Sequence, residues 1–269
     1  MTMRRNNNKI SRGDYFVWAF ALIILVLLFR SGFFTVEAWQ DFGRRFNQNF
    51  IVKNRYMMLV NGLRSTLFMT TFATLIGLVV GIIVSVIRVA HEGGVHIPIL
   101  NKLAEYYITV FRGTPIVVQL LIWYFTIFAS ARDLDKTYVA ILAFGLNSGA
   151  YVAEIFRGGI GAIDRGQMEA ARSLGLSYGA SMRFVILPQA IKNVIPMLFN
   201  EFIVLLKETS VAGYIGIDDL TRAGNGIQNI TVEYSQPLLM VALIYLVIVV
   251  FLSSLVRRLE KYLSRSRRG

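Results

Sequence analysis

Polar residues set at regular intervals inside apolar stretches are where this sequence could do chemistry. Within 138–156, Asn147, Tyr151 and Glu154 are spaced i, i+4 and i+7, which places them on one face of a helix, with Ser148 one position round. Within 190–212, Asn193, Asn200 and Lys207 repeat every seven residues, and Glu201 and Glu208 form the neighbouring line. A zwitterion needs an anion for its ammonium and a cation for its carboxylate, and Lys207 with Glu201 or Glu208 offers both signs. Ionisable groups at membrane depth are costly and usually mark a pathway. These two faces are therefore expected to line a route for a polar solute. The plainer alternative is that Lys207 and the glutamates pair with each other or reach the interface. Glu154 has its own alternative partner in Arg157, three residues on. Catalysis fits poorly: there is no Cys, and two His, His91 and His96, leave little for a metal site or a nucleophile–base pair.

The elements that must position these residues are membrane helices. Of 269 residues, 55% are hydrophobic and 16% charged, against ~25% charged in ordinary soluble domains. Mean hydropathy is +0.55, yet the net charge is +12. Such a chain has too much apolar surface to be disordered. It also lacks the soluble basic face that a nucleic-acid partner requires, so the partner that composition implies is the lipid bilayer. A spanning helix needs ~20 mostly apolar residues. Six candidates appear, at about 15–34, 65–87, 116–129, 138–156, 190–212 and 237–256. The first follows a basic head, Arg4, Arg5, Lys9 and Arg12, with no small-x-small cleavage site after it, and reads as a retained anchor. The second carries Gly77-x-x-x-Gly81, a spacing that permits close helix approach. The third is expected to open with Thr114 as N-cap and Pro115 as first helical residue. Orientation follows from Lys and Arg. Segments 1–14, 88–113, 157–188 and 257–269 hold 17 of the 28, and segments 30–66, 131–137 and 209–236 hold 9. Both termini are therefore expected in the cytoplasm. Six of those 9 lie in 30–66, against the trend. There Trp39, Phe42, Phe46 and Phe50 recur at helical spacing among Arg44, Arg45 and Lys53, the pattern of an amphipathic helix on the outer surface.

The stretch 157–188 reads as a short helix, a glycine turn and a second short helix. Asp164 is placed to cap the first helix, with Gln167 completing a capping box. Gly175 ends that helix and Ser177 caps the next, while Pro188 interrupts the chain before the fifth span. Asp218 and Asp219, in the last outer loop, are either contacts for another protein or ordinary solvated residues. The run Glu169-Ala170-Ala171, then Gly175, then Leu187-Pro188 resembles the EAA loop of the permease subunits of bacterial ABC importers, with Val185 where the family pattern has Ile. Phe111-Arg112-Gly113-Thr114-Pro115, the stretch from Asn147 to Glu154 and the stretch from Asn200 to Thr209 resemble the polar amino-acid branch of that family.

That resemblance, over about 56–260, implies an all-α integral membrane protein: a five-span permease core plus one extra N-terminal span. The organisation would be 1–55 (tail, extra span and outer amphipathic segment), 56–260 (permease core with its EAA loop) and 261–269 (basic tail). It implies a transport subunit of the bacterial cytoplasmic membrane. This chain would have no cofactor of its own, ATP and Mg being bound by a partner ABC ATPase dimer. Consistent with that division, the chain lacks Gly-x-x-x-x-Gly-Lys-[Ser/Thr]. The other implied partners are a second permease subunit, identical or not, and an extracytoplasmic amino-acid binding protein. Glu169, Ala170, Ala171 and Gly175 would couple to the ATPase. The resemblance leaves the amino acid open, with arginine, cystine and glutamine all compatible. From the residues alone, a stand-alone transporter or channel remains a competing reading.

Overall fold

The computed structural model describes residues 35–131 and 133–265, and every regular element among them is a helix. The expected first span, 15–34, lies outside the described residues. The described residues fall into two compact units, divided between Arg55 and Tyr56.

In the first unit, α1 (Val36–Phe46) starts where the Thr35 side chain accepts the Ala38 N–H at 3.2 Å. It runs into a π-helical turn, Asn47–Ile51. The chain then reverses through Lys53 and Asn54, both left-handed at φ 58° and 54°.

The second unit contains α2 (Tyr56–Glu92), α3 (Pro98–Gly113), α4 (Ile116–Ile122), α5 (Lys136–Gly161), α6 (Arg165–Ser173), α7 (Tyr178–Ser181), α8 (Leu187–Glu208), α9 (Leu220–Thr231) and α10 (Ser235–Arg265). Among the described residues, four helical runs are long and apolar enough to cross a membrane: Tyr56–Glu92, Lys136–Gly161, Tyr178–Ile215 and Ser235–Leu263. The pair α3 and α4, bent by 108°, makes a fifth if counted as one broken span. The protein is thus an all-helical, multi-pass membrane protein.

Small residues set the central packing. Gly77 and Gly81 of α2 face α5, where a β-carbon on Gly81 would lie 2.4 Å from Val152 Cγ1 and 2.8 Å from the Gly149 carbonyl oxygen. The reverse holds too: a β-carbon on Gly145 would meet Ile76 at 2.8 Å, and one on Gly149 would meet Val80 at 3.1 Å, as well as the Tyr107 hydroxyl of α3 at 2.7 Å. Two glycine pairs at i, i+4 therefore mesh, and backbones approach as bulkier residues would forbid. Beside this contact Met69, Ala73, Leu120, Ala140, Phe144 and Leu205 form a buried cluster that ties α2, α4, α5 and α8 together.

Three expectations are corrected. Thr114 does not cap the third span. It is extended (φ −122°, ψ 145°) and closes α3, and Pro115 precedes α4 as its cap residue. A residue before proline is pushed out of the helical region, which makes this the point where the chain bends. Segment 88–113, read as a loop between spans, is mostly helix: α2 continues to Glu92 and α3 occupies 16 residues. Nor does Pro188 interrupt the chain before the fifth span. It sits in the first turn of α8, and a π-helical turn, Met182–Ile186, leads into it. The first turn has no intrahelical use for the missing N–H.

Candidate functional site

The bend between α3 and α4 is held by one amide. Gln119 Nε2 lies 2.9 Å from the Phe111 carbonyl oxygen, 3.0 Å from that of Thr114 and 2.7 Å from Thr114 Oγ1. Those neighbours are acceptors, since the Thr114 hydroxyl already donates to the Val110 carbonyl at 2.8 Å. The orientation of the Gln119 amide is thereby fixed, and its Oε1 accepts from Asn147 Nδ2 at 3.0 Å. Asn147 Nδ2 also donates to the Phe111 carbonyl at 2.9 Å. Two side chains thus satisfy carbonyls that a helix end leaves without partners. Gln119 and Asn147 are both buried.

The α5 face that carries Asn147, Tyr151 and Glu154 meets the end of α3 along its length. The Arg112 guanidinium stands 5.3 Å over the Tyr151 ring, and its Nη1 is 3.3 Å from Glu154 Oε2. Arg157 grips the same carboxylate through two bonds of 2.9 Å. Glu154 therefore has the local partner that its spacing allowed, and a second one in Arg112. The side chains of Arg112 and Arg157 are 41% and 40% exposed, so this cluster is wet and carries one more positive than negative charge. Ser148, one position round, faces elsewhere: its hydroxyl donates to Glu201 Oε1 at 2.8 Å, with both residues buried.

The line on α8 does not stay together. Glu201 turns inward to Ser148, while Asn200 and Lys207 are exposed and Glu208 is half-buried. Among the described residues no ion pair joins Lys207 to Glu201 or Glu208, so the plainer alternative, in which these charges are spent on each other, is not what the side chains adopt. A heptad spacing drifts about 20° per repeat around a straight α-helix, and Pro196 lies within this one.

Sequence reading missed Gln119, Arg112 as a partner of Glu154, and Tyr107, whose hydroxyl donates to the Leu146 carbonyl at 2.5 Å. Gln119 had a signal: apart from Thr126 it is the polar residue in the apolar run 116–129.

The second region of interest is α6 with its flanks. Asp164 accepts the Gly166 N–H at 2.7 Å, but Gln167 does not complete a capping box, because its Oε1 receives Gln189 Nε2 at 3.3 Å instead. Gly175, left-handed at φ 83°, ends the helix. Its N–H bonds the Arg172 carbonyl and the next N–H, of Leu176, bonds that of Ala171, the reciprocal pattern of a Schellman stop. Ser177 caps α7 by accepting the Ala180 N–H at 3.2 Å. Of the EAA residues, Glu169 and Ala170 are exposed, and Ala171 is buried. Leu174, at the tip, is 84% exposed.

Asp219 is neither solvated nor open to a partner. It is fully buried and caps α9 by accepting the Arg222 and Thr221 N–H groups at 3.0 and 3.2 Å. Burial pushes its carboxyl up to about 6, against the pull of those N–H bonds. Asp218 is exposed and pairs with Arg222 at 2.9 Å. The preceding turn closes at Gly216, left-handed at φ 78°, whose carbonyl accepts from the Lys136 ammonium at the start of α5.

Comparison with known proteins bears on both regions. The sequence pattern of the family described as "Binding-protein-dependent transport system inner membrane component" matches residues 94–265. The arginine transport system permease protein ArtQ of Bacillus subtilis is 43% identical over 162 residues, covering 60% of this chain and 74% of that protein. The glutamine transport system permease protein GlnP of Escherichia coli K12 is 41% identical over 165 residues, 61% and 75% of the respective chains. Among solved structures, an amino acid ABC transporter superposes with a TM-score of 0.74 at 40% identity, over 79% of this chain and 98% of that one. The MetNI methionine ABC transporter, inward-facing, shares the fold at a TM-score of 0.67 and 21% identity, over 77% and 96%.

Proposed function

The chain belongs to the family of binding-protein-dependent transport system inner membrane components, the translocating subunits of ABC importers, and from that premise we propose that it carries polar amino acids across a bacterial cytoplasmic membrane. Its partners would be a second permease subunit, an ABC ATPase pair that binds ATP and Mg, and an extracytoplasmic binding protein. The observation that carries this reading is α6: a short helix stopped at both ends, with Glu169, Ala170 and the apolar tip Leu174 turned outward. A rigid, capped projection suits the transmission of movement between polypeptides, because a floppy loop would absorb it.

In this reading the pathway runs along the α5 face. Arg112 is half-exposed and loosely held at 3.3 Å, so it is the cation placed to receive a carboxylate. Asn147 spends its N–H groups on the bend, which leaves its carbonyl oxygen to accept from a substrate ammonium. Tyr151 and Glu154 position the Arg112 guanidinium, and Ser148 with Glu201 braces α5 against α8. Lys207 and Glu208 serve the far end of the route as separate charges. The names of the relatives span arginine and glutamine, so the substrate class proposed is the polar amino acids as a group.

The test is uptake of labelled polar amino acids into proteoliposomes. Vesicles that hold this chain with its ATPase and binding protein should accumulate label only with ATP inside the ATPase compartment. Gradient-driven accumulation by vesicles that hold the chain alone would replace this reading with a stand-alone transporter.

A further inference from the structure

α1 divides its residues cleanly. At about 100° per residue, Val36, Trp39, Phe42 and Phe46 fall within about a third of the circumference, with the buried Phe50 following in the π-helical turn, and Glu37, Gln40, Asp41, Arg44 and Arg45 lie on the other side. The rings touch in sequence: Trp39 to Phe42 at 6.0 Å, Phe42 to Phe46 at 6.4 Å and Phe46 to Phe50 at 4.9 Å. Val36, Trp39 and Phe42 are 73%, 56% and 45% exposed. On the polar side Arg44 and Arg45 both bond Asp41, at 2.5 and 2.6 Å. The helix is capped at its start by Thr35, and those two arginines complement the dipole at its end.

We propose that α1 lies in the membrane interface and recognises anionic phospholipid headgroups through Arg44, Arg45 and Lys53, with Trp39 and Phe42 sunk at the headgroup–acyl boundary. Three observations point to lipid as the occupant of this face. The stripe is made of Trp and Phe, which interfacial amphipathic helices turn towards the bilayer. The chain passes within ten residues from the end of α1 to Tyr56, where a membrane-length apolar helix begins, so the stripe is tethered close to a bilayer surface. Residues 35–55 hold four cations, Arg44, Arg45, Lys53 and Arg55, against two acids, Glu37 and Asp41. That positive excess suits anionic headgroups, whose attraction for nearby basic residues adds to the burial of apolar rings. It also accounts for the cluster of positive charge that stands apart from the Lys and Arg distribution of the remaining segments. The proposal is independent of the transport reading.

The test uses Trp39 as a depth gauge. The chain has three Trp, so Trp18→Phe and Trp123→Phe leave Trp39 as the reporter. The purified full chain goes into vesicles of phosphatidylcholine and phosphatidylglycerol in equal amounts, with bromine placed high on the acyl chains of one lipid or the other. Trp39 emission should be quenched by both brominated lipids, and more strongly when the bromine is on phosphatidylglycerol. That preference should vanish in Arg44→Gln/Arg45→Gln/Lys53→Gln and in 1 M salt, where the screening length falls to ~3 Å. Thermal unfolding of the triple variant, unchanged, would show that the fold is intact. Quenching by acrylamide alone would mean a solvated face, and protection from both quenchers would mean a protein surface covers it; either overturns the proposal. Equal quenching by the two lipids overturns the headgroup preference.

Discussion

At the scale of single residues, the bend between α3 and α4 depends on Gln119. Gln119→Leu would take the Gln119 donor from the Thr114 carbonyl and the Oε1 acceptor from Asn147, leaving the Phe111 carbonyl only its bond from Asn147, and an unsatisfied buried polar group costs about 1–3 kcal/mol. The expected result is a lower thermal midpoint and slower ATP-driven uptake. Asn147→Ala should do part of the same damage, and the double variant should fall short of the summed losses, since both side chains serve one network. Additive losses would separate the two residues. Asp219 offers a pH test. Its folded carboxyl titrates near 6, above the usual value of 3.8, because it is buried. A raised value means that protonation favours the folded state: the contribution is full below about 3.8 and is lost as pH rises through about 6. Unfolding in detergent should therefore shift to higher temperature between pH 7 and pH 5. Asp219→Asn keeps the cap and should abolish this pH dependence, whereas Asp219→Ala should cost about 1 kcal/mol through the lost cap.

At the scale of elements, the α2–α5 contact is the part with least room. Gly81→Ala puts a carbon 2.4 Å from Val152 and 2.8 Å from a backbone oxygen, and Gly145→Ala puts one 2.8 Å from Ile76 and 3.1 Å from the Ala73 carbonyl oxygen. Overpacking of this kind costs about 1–3 kcal/mol, read as a lowered unfolding midpoint. Gly179→Ala, with open space around it, is the control and should leave the midpoint unchanged. How far the sequence foretold these elements follows from what each depends on. Gly77 and Gly81 were legible as a close-approach spacing, but the partner that meshes with them, Gly145 and Gly149, sits far along the chain. The i, i+4, i+7 face of α5 was legible because helical periodicity is local. What it would meet was not, since the end of α3 and Gln119 of α4 converge on it only through the 108° bend between those two helices. The capping at Asp164, Gly175 and Ser177 was readable from adjacent residues, except for Gln167, which a residue 22 positions away draws off.

At the scale of the whole molecule, the chain is a membrane-embedded framework with two specialised parts: a polar face on α5 at the broken helix, and a capped projection at α6. The first is suited to meeting a small polar solute, and the second to meeting another protein. In the proposed function neither suffices alone, since ATP-driven movement would require that a change at α6 alter the route along α5. The two are joined by covalent structure over a short distance: α5 ends at Gly161 and α6 begins at Arg165. In the proposed function a shift of α6 would pass through that short connection to the helix that bears Asn147, Tyr151 and Glu154. The central claim is that α6 couples a partner ATPase to this route. It is tested most directly by ATP-driven uptake in proteoliposomes of the full complex that carries Glu169→Lys. Coupling predicts that uptake falls at least about tenfold, equivalent to about 1.4 kcal/mol at the docking step, with unfolding temperature unchanged because Glu169 is exposed. Uptake and stimulated ATPase activity at wild-type levels would contradict it.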